Sequence, residues 1–177
     1  VKPEHVHHFE AGIKTTPVHG VTANLTAYNT DITNLQTQVV NSSVGVLRGY
    51  LANAAKVRVR GIEFDGSATL TRRLSIYTNA AYTDGRYVSF PDAPPPLEQT
   101  GGPSVVDASG TRLPGISKYA VSVGGEVSQP ASIAGRHGDA FAAFDTSYRS
   151  RFSSSPTESQ YMFVQGYTLL NARLGFR

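Results

Sequence analysis

The sequence has no cysteine and no tryptophan. Without thiols, disulfide staples and thiolate metal sites are excluded. Charge is scarce too, at 16% of 177 residues, with a net charge of only +3. The cations are scattered, and Arg72-Arg73 is the one adjacent basic pair. That leaves no basic patch of the kind a nucleic-acid surface needs. No run approaches 18 apolar residues, so a transmembrane helix is excluded. A closed membrane barrel is not, because its strands leave no such run. No G-x-S-x-G, P-loop or H-E-x-x-H occurs, so neither an enzyme nor a bound cofactor is expected. The chain opens Val1-Lys2-Pro3-Glu4 with no Met or signal peptide. It is expected to come from the middle of a longer protein.

What is plentiful is glycine (17) and ring-bearing side chains (9 Tyr, 8 Phe), as in a β-rich chain with many turns. The dominant period is two. Leu74, Ile76, Thr78, Ala80 and Tyr82 alternate with Ser75, Tyr77, Asn79, Ala81 and Thr83. The stretches 118–127 and 167–177 follow the same scheme, with Leu169 the exception on the polar side of the last. Such alternation requires a sheet with one apolar and one wet face. A soluble sandwich and a membrane barrel both meet that requirement, with opposite faces outward.

The expected fold is all-β: an antiparallel meander of about seven long strands over 5–16, 20–38, 50–70, 74–88, 112–128, 140–152 and 164–177. Several exceed the usual 5–6 residues and reach the ~9–11 that a tilted membrane strand needs. Connections at Thr16–Gly20, Thr71–Arg73 and Gln129–Asp139 are short to middling. Those at 41–49, 89–111 and 152–163 are longer and rich in Gly, Pro and Ser. Short turns at one end and long loops at the other are an outer-membrane pattern. Gln129–Asp139 fits it worst. Pro94-Pro95-Pro96 keeps the 89–111 loop out of any ladder.

Glu63 and Asp65 fall on the face opposite Ile62, Phe64 and Leu70, as carboxylates facing a wet lumen would. Lys56, Arg58 and Arg60, however, share the parity of Ile62. Either a bulge near Gly61 flips the register, or this stretch stands above the hydrocarbon among anionic headgroups. The second reading is preferred.

The segments also follow a familiar order. Pro3-Glu4 with Phe9-Glu10-Ala11-Gly12-Ile13-Lys14, then Leu25 to Ile32, then Arg60-Gly61-Ile62-Glu63-Phe64 resemble successive strands of TonB-dependent outer-membrane receptors. So do Asn79 to Asp84, Gly110 to Gly115 with Lys118, Tyr148 to Phe152, and Gly166 to Asn171. The resemblance implies a segment of a 22-stranded transmembrane β-barrel with an N-terminal plug. It also implies uptake of an iron chelate (a ferric siderophore), cobalamin or a saccharide, driven through TonB. On that reading residues 1–177 are a partial β-barrel domain of the bacterial outer membrane. The plug, about two final strands and the terminal aromatic residue are missing. The expected partners are outer-membrane lipid, TonB through the absent plug region, and the transported ligand.

Candidate ligand contacts are Arg149 and Arg151, which lead into the 152–163 loop, with Tyr161 and Phe163 inside it. Arginine and aromatic groups together grip anionic, aromatic ligands. The plainer reading is an interfacial aromatic girdle. His5 and His7, two apart on one strand face, could chelate a metal, but a polar strand end is the simpler account and no metal site is assigned. Glu63 and Asp65 lack a nucleophile and are read as lumen lining. The competing hypothesis is a soluble β-sandwich binding or adhesion module. It would bury Leu74, Ile76, Val121, Val123, Leu170 and Leu174 in a core.

Overall fold

The computed structural model describes the backbone of residues 2–41, 48–99, 101–103 and 105–177, and the side chains of these except 38–41, 48–52, 54 and 55. The expected loop at 41–49 lies largely outside the described residues. Seven long strands form one antiparallel sheet: β1 (His5–Thr15), β2 (Val21–Asn41), β3 (Arg48–Thr71), β4 (Leu74–Ser89), β5 (Tyr119–Ile133), β6 (Arg136–Arg149) and β9 (Tyr167–Phe176). A two-stranded hairpin, β7 (Phe152–Ser153) with β8 (Phe163–Val164), sits between β6 and β9. Each long strand pairs with the next one along the chain, so the topology is a meander.

Of the boundaries that differ from the sequence reading, three change how the ends of the sheet are built. The strand expected from 112 begins at Tyr119, because Pro114-Gly115 forms a turn with Gly115 at φ 77°. The last strand begins at Tyr167 rather than 164, after the β7–β8 hairpin. The connection expected over Gln129–Asp139 is a two-residue turn at Ala134-Gly135, with φ of 52° and 77°. Positive φ at both central residues matches the twist of a tight hairpin. The strand instead runs on through Pro130, inside the expected connection, to Ile133. Ser128, two residues earlier, donates its N–H to the Arg73 carbonyl at 2.8 Å. The missing N–H of Pro130 therefore points to the same side, where β4 has already turned and no ladder bond is lost. All three turns at this end are then short.

No sandwich core exists among the described residues. Leu170 and Leu174 are 72% and 85% exposed, and Ile76 and Val121 are exposed as well. In register, Leu25, Phe64, Ala80 and Val121 run across one face. Asn24, Asp65, Asn79 and Ser122 run across the other. The apolar face exceeds what isolated surface hydrophobics explain.

Towards the long-loop end this polarity inverts. On the apolar-face parity, Ile62 is followed by Arg60 and Arg58, which lie opposite Asp84 and Arg86. The ladder runs unbroken through Gly61, and the β3–β4 register shifts fall at Lys56/Val57 and Thr69/Thr71. The bulge alternative for Gly61 is thus removed. On the other parity, Val57 and Tyr87 are fully buried with Phe90, Ala93 and Ala108. Gly85 leaves room there for Ile116 and Leu113 to pack down on the sheet. The 89–111 segment is accordingly folded, with Ala93 and Val106 exchanging backbone hydrogen bonds of 2.9 and 2.8 Å. Burying Phe90 and Val57 stabilises this fold-back by roughly 1.5–3 kcal/mol each.

Candidate functional site

The long-loop end is where side chains converge. Three backbone bonds dock residues 110–113 against the upper part of β4: Tyr87 N–H to Thr111 O at 3.0 Å, Gly110 N–H to Tyr87 O at 2.7 Å, and Leu113 N–H to Gly85 O at 2.9 Å. The β7–β8 hairpin joins this block through Gly115 N–H to Ser153 O at 2.8 Å. Glu98 completes the tie. Its carboxylate accepts the buried Ser159 hydroxyl at 2.7 Å and the Gln160 N–H at 3.2 Å. The Ser159 hydroxyl holds the Glu98 carboxyl below the usual glutamate range. Two loops that are distant in sequence therefore form one cap.

The four candidate contacts lie on or beside this cap. Arg151 and Phe163 are brought together, with the guanidinium 3.8 Å from the ring centroid. The pair flanks the hairpin, since Ser153 lies opposite Phe163. Part of their contact is therefore structural, although a guanidinium stacked on a ring keeps its edge donors available. Tyr161 is 69% exposed. Arg149 ends β6 opposite Tyr167. His5 and His7 lie opposite Thr33 and Asp31 on β2, and no group of three or more metal-ligating side chains occurs among the described residues.

A second cluster sits on the outward side of the same rim. Arg58 donates to Asp31 at 2.8 Å and Arg86 to Asp84 at 2.9 Å, while Arg60 lies 3.6 Å from Asp84. The odd parity of Arg58 and Arg60 hinted at this in the sequence. Their carboxylate partners, 27 and 24 residues away, could not be read there.

The opposite, polar face is a wall of short side chains and flat rings. Tyr28 lies over Gly61, Tyr77 over Gly124 and Phe141 over Gly175, each ring occupying the place of the glycine's missing Cβ. Aromatic cover of strand glycines restores the packing that glycine lacks. Tyr28 reaches Thr83 at 3.2 Å, and Tyr77 donates to Asp145. Arg177 donates to Glu126 at 2.8 Å. Glu63 and Asp65 share this face, with Asp65 accepting from Asn24, so they form part of a polar lining.

Comparison with known proteins accords with this geometry. The family model "TonB dependent receptor-like, beta-barrel" matches residues 1–177. No curated protein matches. Among solved structures, the ferric yersiniabactin uptake receptor FyuA from Yersinia pestis superposes with a TM-score of 0.72 at 15% identity, over 98% of this chain and 22% of that one. The copper transporter OprC gives 0.70 at 14%, over 99% and 23%. The ferric preacinetobactin receptor BauA from Acinetobacter baumannii gives 0.65 at 18%, over 96% and 22%. The chain thus spans under a quarter of the length of these proteins, and at such identity the likeness is one of fold. With the family model matching its whole length, the chain belongs to the TonB-dependent receptor-like β-barrel family.

Proposed function

We propose that residues 1–177 form a section of the wall of an outer-membrane transporter for an iron chelate, with the loop cap as part of its capture surface. The observation that carries this reading is the two-faced single sheet. On β3, nine residues from Ile62 to Leu70 present an apolar face. At about 3.3 Å per residue and a tilt of about 40°, their height approaches the ~25 Å apolar band of membrane barrels. The face behind carries Glu63, Asp65 and Asn79, which suit water or a polar occupant. The outer sides of β1 and β9 have no partner strand among the described residues. In hydrocarbon each unpaired backbone group costs several kcal/mol, so a membrane location calls for further strands to close the barrel.

The chemistry of the cap suits an anionic or catecholate-like chelate. Arg151, Arg149 and Tyr161 offer charge-assisted donors and an exposed ring, and Phe163 braces Arg151. Two of the three similar structures named above are receptors for ferric chelates, which favours iron over other nutrients. Energy would come through TonB and a plug outside this segment. The role is transport, without bond-making chemistry.

Uptake of radiolabelled iron by iron-starved cells expressing the full barrel protein tests the reading. Paired substitution R151A/Y161A should weaken binding of the ferric chelate about tenfold while surface expression holds. Unchanged binding would remove these residues from the capture surface. A 177-residue chain that is monomeric and unfolds cooperatively in detergent-free buffer would remove the membrane reading itself.

A further inference from the structure

The Arg58–Arg60–Arg86 cluster has a position that capture by the cap does not use. It lies on the apolar-face parity, one pleat beyond Ile62 and Tyr82. Arg60 stands two residues past Ile62 and Arg58 four. At a rise of about 3.3 Å per residue and a tilt of about 40°, that is roughly 5 and 10 Å above the apolar band. The polar layer of a bilayer leaflet has about that thickness. Arg112 lies opposite Arg86 on the same face. The Lys118 ammonium sits 5.5 Å from the Tyr82 ring and 5.7 Å from the Tyr119 ring, at the top of the band.

With Lys56, which also acts on Asp31, six cations therefore share this end of the face with two carboxylates, Asp31 and Asp84. Those carboxylates fix the geometry without neutralising it. Each guanidinium has five N–H donors. Asp31 engages the Nε of Arg58, and Asp84 engages the Nε of Arg86. Arg86 also donates to the Gly110 carbonyl at 3.2 Å, and Arg60 stays 64% exposed. An open cleft of ≈260 Å³ is lined by Arg58, Arg60, Asp84, Arg86, Tyr87 and Gly110. Forked donors held in place beside an apolar band match phosphate monoesters on a lipid.

We propose that this cleft binds the phosphorylated sugar headgroup of an outer-leaflet glycolipid, with the acyl chains lying along Ile62, Tyr82 and Val121. The occupant is a lipid rather than a free anion, because the cleft opens onto the apolar face and not onto the inner wall. This inference rests on the membrane reading above.

The test uses the full barrel protein in phosphatidylcholine nanodiscs, titrated with bisphosphorylated lipid A and followed by native mass spectrometry. Wild type should bind lipid A, and R58Q/R60Q/R86Q should bind it at least tenfold more weakly. R60Q/R112Q leaves both short ion pairs intact and should give an intermediate loss, so the test survives misfolding of the triple variant. R72Q/R73Q, in the opposite turn, should bind as wild type does. Dephosphorylated lipid A should bind all forms equally weakly, and millimolar inorganic phosphate should not compete. Equal affinity across the variants, an equal loss in R72Q/R73Q, or full competition by phosphate would overturn the proposal. If the protein enters nanodiscs but shows no lipid A preference, only this inference fails. If it does not enter them, the membrane reading fails as well.

Discussion

Thr78 and Asn79 are neighbours halfway along β4 and face opposite ways. Thr78 is four residues from Leu74 and four from Tyr82, so it sits at the centre of the apolar band, opposite Gly66 and Val123. Asn79 lies opposite Asp65 and Ser122 on the polar face. Placing arginine at each position in turn separates lipid from lumen within a single peptide unit. The half-band from Thr78 to Tyr82 is about 13 Å along the strand, roughly 10 Å in height at a 40° tilt. A snorkelling arginine side chain only partly recovers that depth. T78R should therefore cost about 2–4 kcal/mol, the range for arginine at the midplane of a membrane barrel, a roughly 30- to 1,000-fold change in the folding equilibrium. N79R should cost at most about 1 kcal/mol, since its charge meets water and the Asp65 carboxylate. Equilibrium unfolding of the full barrel from phospholipid vesicles, followed by circular dichroism, reads both. Equal costs, or a greater cost for N79R, would refute the assignment of the faces.

Other perturbations address the wall and the cap. G124V should drive the Tyr77 ring off its seat and cost about 1–3 kcal/mol, as overpacking does. Adding Y77A to G124V should recover part of that loss, and a double-mutant cycle measured by the same unfolding assay gives the coupling. The Glu98 tie should be sensitive to acid. Its folded-state pKa is depressed by the Ser159 hydroxyl, so the contribution is complete above the unfolded glutamate value and is lost as pH falls through the folded one. The protection of the Gln160 amide, corrected for the intrinsic slowing of exchange in acid, should fall in excess of that of neighbouring amides as Glu98 is protonated. In E98Q that excess should vanish.

Period-two alternation, strand length and the ordered motifs made the meander and its two faces legible in the sequence. Alternation at Leu74 to Thr83 reads directly because each side chain reports its own face. Parity also flagged Arg58 and Arg60 as misplaced for a lipid face, and the unbroken ladder through Gly61 removes a bulge as the reason. The continuation of β5 through Pro130 was not legible, because whether a missing N–H matters depends on which neighbour it would have met. That is a property of the length of β4, far away in the chain. The folded state of the 89–111 loop was also hidden. Phe90, Ala93 and Ala108 become a cluster only when Val57 and Tyr87 offer an apolar floor, and strand parity alone had marked that floor as wet. Among the candidate contacts, the stacking of Arg151 on Phe163 depends on the small hairpin, whose two-residue strands carry no periodicity to detect.

The rings of Tyr28, Tyr77 and Phe141 cover glycines of the neighbouring strand, and two are tethered at their tips by Thr83 and Asp145. A ring held against the wall does not interdigitate with anything beside it. A body shifting along this surface would meet few protrusions to climb and would instead exchange hydrogen bonds with serines, asparagines and carboxylates. Such bonds can be handed over to water one at a time, whereas interlocked apolar groups separate together. On the transporter reading, the glycines would thus lower the sliding resistance of this face without interrupting the sheet ladder.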